Sequence, residues 1–236
     1  MNSADKLKVF IGYDSREDIA WQVARHSLLR HSGDQLIVHP IRQNYVRDIG
    51  LYTRPVDLNA STEFSLTRFL TPYLAAQQTG WAIFSDCDFL YTADVCAVLE
   101  GLNPDKAVYV VKHEYEPAQS IKMDGKAQTV YPRKNWSSFM VLNCAHPDVR
   151  SLTPDLVNSA APAYLHRFEW VKHEDHIGSL ELDWNFLEGE YPAPATTPRV
   201  IHFTNGGPWF DEWQNVDYAD LWRQEEALYR ASVEAQ

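Results

Sequence analysis

The decapeptide Trp81-Ala82-Ile83-Phe84-Ser85-Asp86-Cys87-Asp88-Phe89-Leu90 decides how this chain is read. Ile83 and Phe84 suit a buried strand, because β-branched and aromatic side chains fit a covered, pleated surface. Two carboxylates, one residue apart, follow at once. A buried carboxylate without a cation is costly or takes up a proton. The strand must therefore end here, with Asp86 and Asp88 facing a cleft, a metal or a cap. At alternate positions the two side chains share one face of an extended chain. They can then converge on one hard cation, Mg²⁺ or Mn²⁺, which prefers oxygen ligands and often also holds substrate phosphates. In the plainer alternative one Asp caps the next helix and the other is solvated, since D-x-D spacings are common. Ligands of open α/β sheets collect beyond the carboxyl ends of strands, which favours the metal.

Upstream, Lys8-Val9-Phe10-Ile11-Gly12 reads as a central strand. Ser15 offers a helix N-cap with Asp18 as its capping-box partner. Ala20, Val23, Ala24, Ser27 and Leu28 then fall on one helical face, and Gly33 closes the helix. Leu36-Ile37-Val38 is the next strand, ended by Pro40. Strand, helix, strand is the unit of a parallel sheet. Leu66, Phe69, Leu70, Tyr73 and Leu74 make a second helical pattern, in which Pro72 marks a kink or the first turn.

Downstream, a short helix is expected over 95–102 and strands over 107–111 and 139–142. The polar segment 112–136 between them reads as a long loop or small hairpin. Residues 191–198 carry three prolines and read as extended. A last strand, 199–203, precedes the turn Thr204-Asn205-Gly206-Gly207-Pro208. Tyr218, Leu221, Trp222, Leu228, Tyr229 and Val233 give a closing amphipathic helix. The expected fold is a single α/β domain: a Rossmann-like, mixed, mainly parallel sheet flanked by helices.

The 236 residues carry a formal charge of −11. That field repels nucleic acid and anionic lipid, so neither is an expected partner, and an anionic substrate needs a metal or well-placed bases. No apolar run is long enough for a membrane span. The first residues lack the apolar core of a signal peptide, and Cys87, Cys96 and Cys144 match no zinc or redox spacing. A cytoplasmic protein with buried thiols is expected.

Four segments together resemble the nucleotide-sugar glycosyltransferases of GT-A fold, in particular the retaining family 8 group. They are Ile11-Gly12-Tyr13-Asp14, Thr67-Arg68-Phe69-Leu70-Thr71-Pro72-Tyr73-Leu74, Phe84-Ser85-Asp86-Cys87-Asp88 and Val200-Ile201-His202-Phe203-Thr204-Asn205-Gly206-Gly207-Pro208-Trp209. The resemblance implies a nucleotide-binding half over about 7–111 and an acceptor and C-terminal half over about 112–236. It implies a nucleoside diphosphate sugar as donor, a UDP-sugar first, and a carbohydrate, lipid-linked or protein acceptor. Asp86, Asp88 and His202 become the ligands of Mn²⁺ or Mg²⁺. Tyr13, Asp14, Arg68, Asp86 and the backbone of Gly206 and Gly207 become donor contacts.

The family's lysine before Pro-Trp is replaced here by Gly207. The family's Asn-Ala-Gly segment aligns loosely with Asn135-Trp136-Ser137-Ser138, and its Asp-Gln-Asp stretch with Leu182-Asp183-Trp184-Asn185. Asp183 is the candidate catalytic carboxylate, as a partner of sugar hydroxyls or as a base; otherwise it caps a short helix, Trp184–Leu187. Arg68 pairs with a phosphate or with an acid inside the protein. Tyr13 stacks on a base or is simply buried. His173 and His176 are a possible zinc pair, but no partner at metal-site spacing accompanies them. Two other functions fit the same residues. One is a catalytically silent nucleotide-sugar-binding module, suggested by the missing lysine. The other is a magnesium-dependent phosphohydrolase, which Leu90 and the distance from the N-terminus disfavour.

Overall fold

In the computed structural model, which describes residues 6–57, 60–76, 79–114 and 133–235, the sheet is built outward from β1 (Leu7–Gly12). β2 (Leu36–Ile41) lies parallel to it on one side and β3 (Trp81–Ser85) parallel on the other. β4 (Phe89–Tyr91) leaves this sheet, which β5 (Val108–Val110), β6 (Phe139–Asn143) and β7 (Ile177–Ser179) complete in the order β2-β1-β3-β6-β5-β7. β6 is antiparallel to both β3 and β5, while β7 is parallel to β5, so β6 alone runs against the rest. A smaller sheet joins β4, β8 (Phe186–Leu187) and β9 (Val200–His202) in the order β4-β9-β8. The mixed, mainly parallel α/β architecture expected from the sequence is present.

The apolar runs Val9–Ile11 and Ala82–Phe84 are almost wholly buried. Inner strands of such sheets are covered on both faces and therefore read as continuous rather than alternating apolar sequence. α1 (Asp18–Ser32) crosses from β1 to β2 and packs on β4, and α7 (Ala219–Glu234) packs on α1. Between them lie short helices: α2 (Gln43–Asp48), α3 (Thr71–Ala75), α4 (Pro147–Arg150), α5 (Pro154–Ser159) and α6 (Pro162–His166). None of the described helices is long and apolar enough to cross a membrane. Cys87 and Cys144 are buried, Cys96 is half-buried, and none of the three forms a disulfide.

Several local expectations are corrected. Asp14, not Ser15, caps the start of the first helical segment, a 3-10 turn over Ser15–Glu17, by accepting the Arg16 amide. The Ser15 hydroxyl is instead directed to Glu63. Pro40 does not end β2, because β2 is an edge strand and a missing N–H there interrupts no ladder. Pro72 does mark a first turn, that of α3, but the residues before it form a 3-10 turn, Thr67–Leu70. The helix expected over 95–102 is a 3-10 segment, Val95–Leu99, capped by Asp94. The helix expected at 184–187 is a 3-10 turn, Leu182–Trp184, followed by β8. Of the expected loop or hairpin over 112–136, residues 115–132 lie outside the described residues.

Candidate metal centre

β3 ends at Ser85, and the Asp86 amide donates to the Ser138 carbonyl at 2.9 Å, tying the strand end to the turn that enters β6. β4 pairs antiparallel with β9, Phe89 opposite His202, and the Phe203 amide donates to the Asp88 carbonyl at 3.0 Å. This register brings a histidine more than a hundred residues away in sequence to the aspartates. His202 Nε2 lies 3.3 Å from Asp88 Oδ2. One ligand atom from each of Asp86, Asp88 and His202 falls within 4.8 Å of the others. The two aspartates are each 9 % exposed and His202 2 %, so two carboxylates share a nearly dry site. Such a site requires positive charge.

The orientation of His202 follows from its neighbours. Asn185 Nδ2 donates to Ser138 Oγ at 2.9 Å and lies 3.4 Å from the Asn135 carbonyl. That fixes Asn185 Oδ1 as the atom facing His202 Nδ1, at 2.9 Å. Nδ1 therefore donates to Asn185, and Nε2 is the ring nitrogen that faces Asp88. A ring nitrogen held by an outer acceptor while the other is presented to a carboxylate is the arrangement of a metal-ligating histidine. The donor set, two carboxylates and one imidazole, fits a hard divalent ion such as Mn²⁺ or Mg²⁺.

Arg68, buried behind the aspartates, pairs with Asp86 Oδ1 at 2.7 Å. It also donates to the carbonyls of Ser137, at 2.9 Å, and Ser65, at 3.1 Å. Of the two roles read for it, its partner here is the acid within the protein. Burial, with the Arg68 charge nearby, pushes His166 down to about 3. Burial, with His202 nearby, does the same to His113, also to about 3. Glu17 is buried as well; burial first, then the charges of Asp88 and Asp14, hold its carboxyl well above the usual range.

The other expected site residues are placed as follows. Asp14 is fully buried and accepts the Arg16 amide and side chain and the Glu63 amide. Burial pushes its pKa up, but these bonds outweigh burial and hold it below the ordinary value. Tyr13 donates to Asp18 Oδ1 at 2.7 Å, and the Arg42 guanidinium covers one ring face at 3.4 Å. Asp183 is not gathered into the cluster; its Oδ2 pairs with Arg199 Nε at 3.1 Å. Asn185, two residues on, is the member of that segment that reaches His202. The Gly206 amide donates to the Phe203 carbonyl at 3.0 Å, which closes the turn after β9, and Gly207 packs under the Trp209 ring.

Sequence reasoning missed Ser138, Glu17 and the orienting role of Asn185. Asn185 and Ser138 lay in the loosely aligned segments, and only the fold shows which atom each turns inward. Beside Arg16, a cavity of about 500 Å³ is lined by Gln43, Tyr52, Thr62, Glu63 and His166 among others.

This combination of sheet order, strand-end aspartates and facing histidine defines the class: the chain has the fold of the GT-A glycosyltransferases. Its structure is similar to that of the glycosyltransferase GlyE of Streptococcus pneumoniae TIGR4, with a TM-score of 0.62 and 15% identity over 98% of this chain and 63% of that one. It is similar to the galactosyltransferase LgtC, with a TM-score of 0.55 and 10% identity over 94% and 95% of the two chains. A glycosyltransferase involved in glycosylation of the major capsid of PBCV-1 gives a TM-score of 0.57 at 8% identity, over 95% and 99%. The chain thus spans under two thirds of the GlyE chain but nearly all of the other two. No protein-family model matches. In sequence the chain is 47% identical over 227 residues to Protein CDI of Arabidopsis thaliana, covering 94% of this chain and 87% of that protein. The chain belongs to the family of Protein CDI.

Proposed function

We propose that this protein is a metal-dependent glycosyltransferase that moves a hexose from a nucleoside diphosphate sugar, a UDP-sugar first, to an acceptor hydroxyl with retention of configuration. The observation that carries the reading is the meeting of Asp86, Asp88 and His202 at one point, with His202 Nδ1 held by Asn185. Asp86, Asp88 and His202 would hold Mn²⁺ or Mg²⁺. The ion, when bound, supplies Lewis-acid stabilisation of the negative charge on the departing diphosphate.

The chain's own residues do the rest. Arg68 pairs with the Asp86 carboxylate and holds it in place. Asn185 fixes the tautomer of His202. The cavity beside Arg16 supports the reading, because its volume of about 500 Å³ is in the range of small-ligand sites and admits a nucleoside. Tyr13, Asp14 and the Gly206–Gly207 turn border the donor, and Asp183 meets a sugar hydroxyl once its pair with Arg199 opens. The acceptor is a carbohydrate, a lipid-linked sugar or a protein.

The test is release of nucleoside diphosphate from a panel of nucleotide sugars with and without Mn²⁺. Asp88→Asn is expected to lower the rate roughly a thousandfold, the loss that removing one transition-state charge contact brings. An unaltered rate in that variant removes the aspartate pair from the mechanism. A second reading, the silent binding module, is favoured by Gly207 at the position of the resembled family's lysine. Donor binding by calorimetry, with no diphosphate released against any acceptor, supports it. Mn²⁺- or Mg²⁺-dependent phosphate release from simple esters would instead make the protein a phosphohydrolase.

A further inference from the structure

At the opposite end of the main sheet, three side chains from two separate segments converge. β6 runs against β3, with Phe139 opposite Ser85 and Asn143 opposite Trp81. The end of β6 is therefore a strand length, roughly 13 Å, away from the aspartates. His146 and Asp148 follow β6 at the start of α4, and His176 precedes β7. Asp148 Oδ2 lies 2.9 Å from His176 Nδ1 and 3.9 Å from His146 Nδ1. The His173 ring meets that of His176 edge-on at 5.1 Å.

We propose that His146, Asp148 and His176 form a second divalent-cation site, of zinc-type chemistry. One ligand atom from each lies within 4.8 Å of the other two. A tetrahedral zinc ion with bonds of about 2.0–2.1 Å needs its ligand atoms about 3.3 Å apart, so small side-chain rotations close the set. Two imidazoles with one carboxylate, and a fourth position left to water, is a zinc donor set, whereas the oxygen-rich centre at Asp86 suits Mn²⁺ or Mg²⁺.

The two limbs are held rigidly, because both bond to the backbone of one residue. The Ala107 amide donates to the His176 carbonyl at 2.8 Å, and the Ala107 carbonyl accepts the Asn143 amide at 2.9 Å. The Lys172 amide donates to Asp148 Oδ2 at 3.1 Å and so orients the carboxylate. The Asp148 side chain is 2 % exposed and those of His146 and His176 are 10 % and 27 % exposed, so the carboxylate is buried and the His176 ring is the member most open to solvent. His146 Nδ1 at present accepts the Asp148 amide at 3.1 Å, and the His176 ring bonds Asp148 directly. Ligation through His146 Nδ1 displaces that amide, and ligation through His176 Nδ1 moves its ring proton to Nε2.

The competing explanation is a histidine–aspartate hydrogen bond that only fastens the turn carrying His176 to α4. The experiment separates the two. Full-length protein freed of metal is dialysed against Zn²⁺ alone, and bound metal is counted per chain in wild type, Asp88→Asn, His146→Ala, His176→Ala and His176→Gln. Asp88→Asn is expected to keep one tightly held zinc that a tenfold excess of Mn²⁺ does not displace. The three histidine variants are expected to bind that zinc at least about a hundredfold more weakly, more than loss of an outer partner brings. His176→Gln retains a hydrogen-bonding group toward Asp148 and guards against a folding defect, which Mn²⁺ binding at Asp86 also monitors. Zinc held equally by the histidine variants, lost only in Asp88→Asn, or not held by wild type overturns the site.

Discussion

Asn185 Oδ1 accepts the Nδ1 proton of His202 at 2.9 Å, and that bond aims the opposite ring nitrogen at Asp88. Asn185 is fully buried and so has no solvent with which to share this role. Removing it with Asn185→Ala frees the ring to rotate or to change tautomer. Mn²⁺ affinity is expected to fall 10- to 100-fold, on the order seen for outer partners of metal ligands. Asn185→Asp keeps an acceptor at the same place and is expected to restore most of the affinity. Calorimetric titration with Mn²⁺ measures both, and wild-type affinity in Asn185→Ala refutes the role.

Arg68 contributes more to the fold than a donor contact alone would. Its guanidinium meets Asp86 and two backbone carbonyls, all in the interior. Arg68→Met withdraws this cation from a site that also contains Asp88 and the buried Glu17. Breaking a buried ion pair from one side costs about 3–5 kcal/mol, so urea unfolding at pH 7 is expected to show a loss near that size. Saturating Mn²⁺ is expected to recover part of it, because the ion binds the folded form and brings back positive charge. A variant as stable as wild type would mean that the aspartates do not depend on Arg68.

The turn after β9 has little room. A Cβ on Gly207 would stand 2.0 Å from the Trp209 ring, which is packed against Trp222 at 5.3 Å and Phe203 at 5.8 Å between centroids. Gly207→Ala is expected to cost about 1–3 kcal/mol, as overpacking does, and to displace the segment that carries His202. A lowered melting temperature together with weaker Mn²⁺ binding is the expected pair of results; normal Mn²⁺ affinity in a destabilised variant would uncouple turn from centre.

The parts legible in the sequence are those where one short segment contains its own reason. Ile83-Phe84 followed by Asp86 and Asp88 announces a buried strand with charged residues at its tip, and the fold puts it there. β1, α1 with Gly33 as its stop, and the closing helix were readable from periodicity. His202 was accessible only through a resemblance, because its partnership with Asp88 depends on the β4–β9 register. Asn185 and Ser138 were not readable as functional, since nothing local distinguishes a side chain turned toward an imidazole from one turned to solvent. The same holds for the second cluster. His173 and His176 were visible as a pair, but the partners that the fold supplies to His176 are His146 and Asp148, which approach through the pairing of β5 with β6 and β7. β4, β8 and the short helices α4 to α6 were missed because elements of two to six residues carry too few positions for a period to show.

A buried carboxylate helps fasten the closing helix to α1. Glu225, 3 % exposed on α7, accepts from His26 Nδ1 at 2.6 Å and from Arg30 Nε at 3.0 Å and Nη2 at 2.5 Å, all on α1. Burial pushes the Glu225 pKa up, but the bonds from Arg30 and His26 outweigh it and hold the carboxyl below its ordinary 4.5. A carboxyl depressed on folding stabilises the protein fully above its unfolded pKa, and that contribution is lost as the pH falls through the folded value. Glu225→Gln is therefore expected to cost about 2 kcal/mol at pH 7, the scale of hydrogen bonds to a charged group. The difference from wild type is expected to shrink as the pH drops below 4.5. Urea denaturation at pH 7 and at several acid values measures it. A gap that stays constant with pH would show that shape, and not the charge of Glu225, joins α7 to α1.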